Sequence, residues 1–292
     1  MKKFVVKLAV LVSMLVMGSV YAVAEGEAQN GAEQFNYAWV EGGKSVEVQK
    51  GLASINLDKD LLFLDKNNTI ICQKNEFGNE ISGKEIGSIY PADENKNWYV
   101  VMEYDESGYV KDNEKIDAKD LLKSYQEGQK EYNKQHPEKA KVDVAGWEKE
   151  PYYDKKTNNL AWSVMYKNDT EKTTYANHNV KVLTRKGFVS FILVANPTEL
   201  TEARKVLDEK IIPKFAIETG NRYSDFNAST DKIAEYGVAG LILGGVALGK
   251  GGIIAALLAM KKLLVVAVAA IVGGIAYLWK LITGKKNNSE TE

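Results

Sequence analysis

The sequence is short of the residues from which most reactive sites are built. Its 292 residues contain one cysteine, Cys72, and two histidines, His136 and His178. A single thiol excludes an internal disulfide framework, so stability must come from a hydrophobic core. Cys72 follows Ile70 and Ile71 and reads as part of a buried apolar stripe, not as a reactive thiol. No His-x-x-x-His or Cys-x-x-Cys spacing exists, and metal ligation is not expected. His136 sits beside Pro137 in a polar loop, and His178 alternates within a strand. There is no Gly-x-Ser-x-Gly elbow and no complete Gly-x-x-x-x-Gly-Lys-Ser/Thr phosphate loop. Gly244, Gly245 and Gly249 lie in an apolar tail and cradle no nucleotide. No cofactor is expected, and catalytic residues remain unknown at this stage.

Positive charge is also in deficit over most of the chain. Residues 25–235 hold 29 lysines and arginines against 37 aspartates and glutamates, a net charge near −8. A surface of that sign repels phosphate backbones and excludes nucleic acid as a natural partner.

What is present at the two ends points to export. Lys2, Lys3 and Lys7 precede an apolar run from Leu8 to Gly18, broken only by Ser13, and Ala22-Val23-Ala24 follows. A basic start, a short apolar core and a small-x-small triplet make a signal peptide over 1–24. The competing reading is an uncleaved anchor, but the apolar core is about half of what a spanning helix needs.

At the other end, 236–284 reads as a hydrophobic membrane anchor with a polar tail at 285–292. Residues 263–282 are 20 in number, 11 of them Leu, Ile or Val, and 20 residues of helix cover about 30 Å of hydrocarbon. Tyr277 and Trp279 suit an interfacial belt, and Lys280 is near enough to the end to snorkel. The stretch 237–260 carries seven glycines and a central Lys250. It is open between a first span and an interfacial or re-entrant segment.

The body, 25–235, reads as a single α+β domain. Short alternating runs from Val46 to Leu64 are separated by Lys50-Gly51 and Asp58-Lys59-Asp60, and further strands follow at Glu85 to Tyr90 and Trp98 to Tyr104. Asp117 is the N-cap of a helix through Lys134, with Leu121 and Tyr125 on its inner face. Strands resume at Lys141 to Trp147 and Leu160 to Tyr166. Thr173 to Thr184 and Phe188 to Ala195 flank Arg185-Lys186-Gly187 as a hairpin. A second helix over 197–212 starts at Asn196-Pro197 and buries Leu200 and Leu207. Hairpin-length connections imply a largely antiparallel sheet.

Two clusters are candidates for function. The acids Asp105, Glu106, Asp112 and Glu114 surround Tyr109-Val110, but their spacing does not fit a calcium loop. Trp147, Tyr152, Tyr153 and Trp162 fall around Pro151; such rings serve core packing or offer a flat face to a sugar or peptide. Three glycosylation triplets, beginning at Asn67, Asn168 and Asn227, are too common a pattern to argue from.

Several stretches resemble one family in order. They are Gly108 to Asp112 with Ile116-Asp117; Gly146-Trp147, Pro151, Tyr153-Asp154, Thr157, Leu160 and Trp162; Leu183, Arg185 and Gly187; and Gly220, Arg222-Tyr223, Asp225-Phe226, Asp231-Lys232, Ala234 and Tyr236-Gly237. Together they are similar to the predicted membrane-anchored bacterial proteins grouped as domain of unknown function 2167. Asn158 stands where that family usually has histidine, and Thr184 where it usually has glycine. The resemblance implies an envelope protein and supplies no chemistry.

These observations lead to an expected place in the bacterial cell membrane, with the body on the periplasmic side. The first expectation for function is a non-enzymatic module that binds an envelope protein or glycan. The alternative is a hydrolase acting on envelope material through carboxylates such as Asp112 and Asp154.

Overall fold

The computed structural model describes residues 36–243 except 78, 80, 136, 138–140, 169–171 and 196–197, together with the paired two-residue strands β1 (Ala9–Val10) and β2 (Ala24–Glu25). Apart from Ala9, Val10 and Ala24, the signal-peptide stretch lies outside the described residues, as do His136, the Asn196-Pro197 cap and everything from 244 onward. Among the described residues no helix is long and apolar enough to cross a membrane.

The body is built on an antiparallel sheet, as the hairpin spacing predicts. The strands are β3 (Val40–Glu41), β4 (Lys44–Gln49), β5 (Ala53–Leu57), β6 (Leu61–Asp65), β7 (Glu85–Pro91), β8 (Trp98–Asp105), β9 (Tyr109–Lys111), β10 (Val142–Asp154), β11 (Asn159–Asn168), β12 (Thr173–Thr184), β13 (Gly187–Ala195), β14 (Phe215–Ile217) and β15 (Ile233–Gly237). Eight of them form one sheet in the order β10-β11-β12-β13-β8-β7-β6-β3. A smaller sheet, β14-β5-β4, lies on one of its faces, and β15 pairs in parallel with β9.

Central position explains the composition of β13. All nine of its residues are buried, and it reads as an apolar run interrupted only by Ser190 because both faces are covered. It enters from a two-residue turn in which Thr184 pairs with Gly187. A Cβ on Gly187 would lie 1.8 Å from the Asp105 carbonyl oxygen, so only glycine lets the turn press against β8.

The two faces sort their side chains by alternation. Leu61 and Phe63 face a core shared with Ile55, Leu57, Val100, Met102, Phe191, Leu200, Leu207 and Ile211. Leu62 and Leu64 face a second cluster with Tyr90, Tyr99, Ile192 and Cys72. That second cluster lies under α1 (Lys66–Asn75), capped by Asp65, whose Oδ1 accepts from Asn68 N at 2.8 Å. Cys72 is buried as expected, but the stripe is helical: Thr69, Cys72 and Gln73 face inward while Ile71 is 44% exposed.

The helix predicted from Asp117 is α2 (Ala118–Gln135). The Asp117 carboxylate accepts from Asp120 N at 3.1 Å, and Leu121 is buried. The second predicted helix is shorter and less regular. It is α3 (Leu200–Val206), which widens into a π turn at Leu207–Ile211 and tightens to a 3-10 turn at Ile212–Lys214, where Pro213 ends it. Leu200 and Leu207 are buried as the stripe predicts. The short helix α4 (Val238–Ile242) is buried in the described body. Its Ala239 N–H donates to Glu114, and the Tyr125 hydroxyl donates to the Ile242 carbonyl.

Candidate functional site

The β10–β11 hairpin and the segment after the π turn enclose a cleft of about 700 Å³. This volume lies within the range of small-molecule sites. The hairpin contributes Lys149, Tyr152, Asp154 and the amides Asn158 and Asn159; the opposite wall contributes Asp208, Phe215, Arg222 and Tyr223.

The hairpin turn is built by Asp154. Its Oδ1 accepts from Lys156 N at 2.8 Å and its Oδ2 from the Thr157 hydroxyl at 3.1 Å. The Lys156 N–H is the main cause that lowers its pKa, so the carboxylate stays charged and serves the turn. Asn158 closes the turn at φ 57°, a left-handed conformation that asparagine tolerates. Its carbonyl accepts from Leu183 N at 3.0 Å. The Tyr153 hydroxyl lies 3.2 Å from Asp112 Oδ2 and 3.3 Å from Asn158 Oδ1. Asp112 is thus tied to a tyrosine and does not line the cleft, so the two suspected carboxylates do not converge there.

Behind the cleft wall stands a line of three groups, of which the sequence singled out only His178. Ser163 Oγ lies 2.7 Å from His178 Nδ1, and His178 Nε2 lies 3.3 Å from Asp208 Oδ1. Burial is the main cause that lowers the His178 pKa, so the ring is neutral. Burial also works against the Asp208 charge, but the His178 bond and the nearby Lys149 and Arg204 outweigh it and lower its pKa. An ionised carboxylate only accepts, so Nε2 carries the ring proton and Ser163 donates to Nδ1. The order resembles a catalytic triad but its ends are reversed. The serine is fully buried, while the carboxylate faces the cleft. A nucleophile has to reach its substrate, and this one does not. Thirty residues separate His178 from Asp208, and no local pattern announces that contact.

The aromatic cluster divides. Trp147 packs edge-on against Tyr125, and its indole N–H donates to the Ala118 carbonyl at 2.8 Å. Trp162 is buried. Tyr152 instead stands in the cleft and is 63% exposed.

The opposite wall is held by stacking and by one ion pair. Tyr109 stacks on Tyr223 and Phe226 at centroid distances of 4.5 and 3.8 Å. The Tyr223 hydroxyl donates to the Val110 carbonyl at 2.8 Å. Gly108, at φ 111°, lets this corner approach β15: a Cβ there would meet Ala234 N at 2.9 Å. Arg185 binds Asp231 and also donates to the Gly220 carbonyl at 3.2 Å, fixing the loop beside β12.

A second polar group lies inside the body. Lys181 Nζ donates to Ser190 Oγ at 2.8 Å and sits 4.5 Å from the Phe188 ring centroid. Burial pushes its pKa down to about 8, against the opposing pull of Glu103 and Asp105. It is closed from solvent and lines no part of the cleft. Among the described residues no cluster of three or more His, Cys, Asp or Glu is placed to hold a metal ion.

No curated protein matches the sequence. The solution structure of the cyanobacterial PsbP (CyanoP) from Synechocystis superposes with a TM-score of 0.35 at 8% identity, covering 66% of this chain and 98% of that one. The model of a protein family of unknown function, DUF2167, matches residues 40–273. The residues that carry the resemblance are those now seen together: Tyr109 against Tyr223 and Phe226, Tyr153 beside Asp112, Arg185 on Asp231. With four-fifths of its length matched, the chain belongs to the DUF2167 family.

Proposed function

We propose that this chain is a non-enzymatic binding module of the bacterial envelope that holds a glycan in the cleft beside Tyr152. The observation that supports binding over hydrolysis is the state of the cleft carboxylates. Glycoside hydrolysis needs one carboxyl raised toward working pH so that it can deliver a proton. Asp154 and Asp208 are both lowered, and both are already engaged, one by its own turn and one by His178 and Lys149. An exposed ring, two amides and fixed charges around an open cleft are the means by which sugars are held without being cut. The envelope location rests on the sequence of 1–24 and 263–282.

The test is calorimetry of the full-length protein with short envelope glycan strands, followed by analysis of the strands for cleavage. Binding without new chain ends is expected, and Tyr152→Ala should weaken it at least tenfold. Release of fragments that stops in Asp208→Asn would transfer the assignment to the hydrolase. Reporter fusions after Asn196 test the location, and cytoplasmic-type reporter activity there would end the envelope reading.

A further inference from the structure

The sequence contains three arginines, Arg185, Arg204 and Arg222. Arg185 is bound to Asp231 and Arg204 to Glu148. Among the described residues no carboxylate pairs with Arg222, although it lines the cleft and is exposed.

Its surroundings nonetheless hold it in place. Asp225 Oδ2 accepts from the backbone N–H of Arg222 at 3.0 Å and of Gly220 at 2.8 Å. Arg222 also forms an isolated bridge with Thr184 of β12. Its side chain is tethered once, Nε to the Ile217 carbonyl at 3.3 Å. That leaves both terminal nitrogens of a positioned, planar cation without a partner among the described residues. Elsewhere in the cleft the charges are committed: Lys149 stands 3.6 Å from Asp208, and Asp154 serves its turn.

We infer that the cleft takes a sugar bearing a carboxylate, with Arg222 as the residue that reads the acid group and Tyr152 as the platform for the ring. This inference rests on the glycan reading above. A guanidinium fork matches a carboxylate through two parallel hydrogen bonds, and a fork already fixed in place loses less freedom on binding. A phosphate monoester is a poorer fit, because its charge of about −1.5 to −2 calls for a second cation and Lys149 is occupied. The body as a whole is near −8 over 25–235, so its long-range field does not gather polyanions. Recognition therefore falls on one acid group delivered at short range to one fixed cation.

The experiment compares galacturonate with its methyl ester, which keeps the sugar ring and removes the charge, by calorimetry on the full-length protein. The acid should bind at least tenfold more tightly than the ester. Arg222→Gln should bring the acid-to-ester affinity ratio close to one, and Arg222→Lys should keep only part of the difference. Equal binding of acid and ester by the wild type overturns the carboxylate inference while the glycan reading stands. Binding of neither overturns both. A free peptide C-terminus that binds where its amide does not, with the uronate silent, overturns the sugar assignment. Inorganic phosphate that displaces the uronate at equal concentration overturns the choice of carboxylate. Should Arg222→Gln fail to fold, the acid-to-ester ratio in the wild type and in Arg222→Lys decides alone.

Discussion

Arg185 meets Asp231 through two parallel hydrogen bonds, Nε to Oδ2 at 2.7 Å and Nη2 to Oδ1 at 2.9 Å. The guanidinium first, and then the Asn227 N–H, hold the Asp231 carboxyl well below the usual carboxylate range. Because the folded pKa is depressed, the contribution is present above the unfolded value near 3.8 and is lost as pH falls through the folded value. Arg185→Gln should be less stable than the wild type at pH 7, with the gap closing below about pH 3.8. It should also be cut faster by protease between Gly220 and Asp231. Urea midpoints across pH and a timed digest check both.

The His178 ring titrates in the opposite sense to a partnered surface histidine. Burial lowers its pKa from 6.5, so the unfolded chain takes up the proton first as pH falls. Stability from this group is complete above about pH 6.5 and is lost progressively below it. His178→Gln should flatten the urea midpoint between pH 7.5 and 5.0, where the wild type declines. An unchanged slope would mean that the ring takes up its proton as readily in the folded chain as in the unfolded one.

Two aromatic residues ten positions apart should behave as opposites. Trp162→Ala empties a buried site and is expected to cost about 3–5 kcal/mol in chemical denaturation. Tyr152→Ala removes a 63% exposed ring and should stay within about 0.5 kcal/mol of wild type. Its effect belongs in the binding isotherm alone.

Cys72 should resist thiol reagents in the native state. Burial first, and then the charge of Glu76, outweigh the bonds from Tyr90 and Tyr37 and push its pKa up to about 12. At pH 8 the thiolate fraction of such a group is negligible. A chromogenic disulfide reagent should react at the unfolding rate in buffer and at once in guanidinium chloride. Fast native labelling would show that α1 opens locally.

Local regularity made much of this fold legible. The apolar run of Phe188 to Ala195, the Arg185-Lys186-Gly187 turn and the Asp117 cap each report on neighbours within a few residues, and the structure has them where the pattern places them. The helix at Lys66–Asn75 was hidden because its buried face uses Thr69 and Gln73, polar residues that find partners in Ser88 and Asn79. The π turn at Leu207–Ile211 has no signature of its own. In the cleft, Tyr152 and Asp154 could be singled out from the hairpin sequence. Asp208 could not, because its place beside His178 and Lys149 depends on how α3 docks on the sheet. Parallel pairing of β9 with β15 spans more than a hundred residues and is a product of the finished fold.

That pairing also determines how the body answers force. The chain leaves β15 at Gly237 and runs on through Val238–Ile242, where Glu114 and Tyr125 each hold it by a backbone group. A pull applied beyond Leu243 first loads these two catches. It then loads β15 along its own length, where the ladder to β9 and the Gly108 corner are strained together and not opened one rung at a time. Rupture under such shear is governed by the unfolding barrier more than by equilibrium stability. Tyr223 of the cleft wall stacks on Tyr109 and bonds the Val110 carbonyl of the same β9, so tension at the exit of the chain is felt at the cleft.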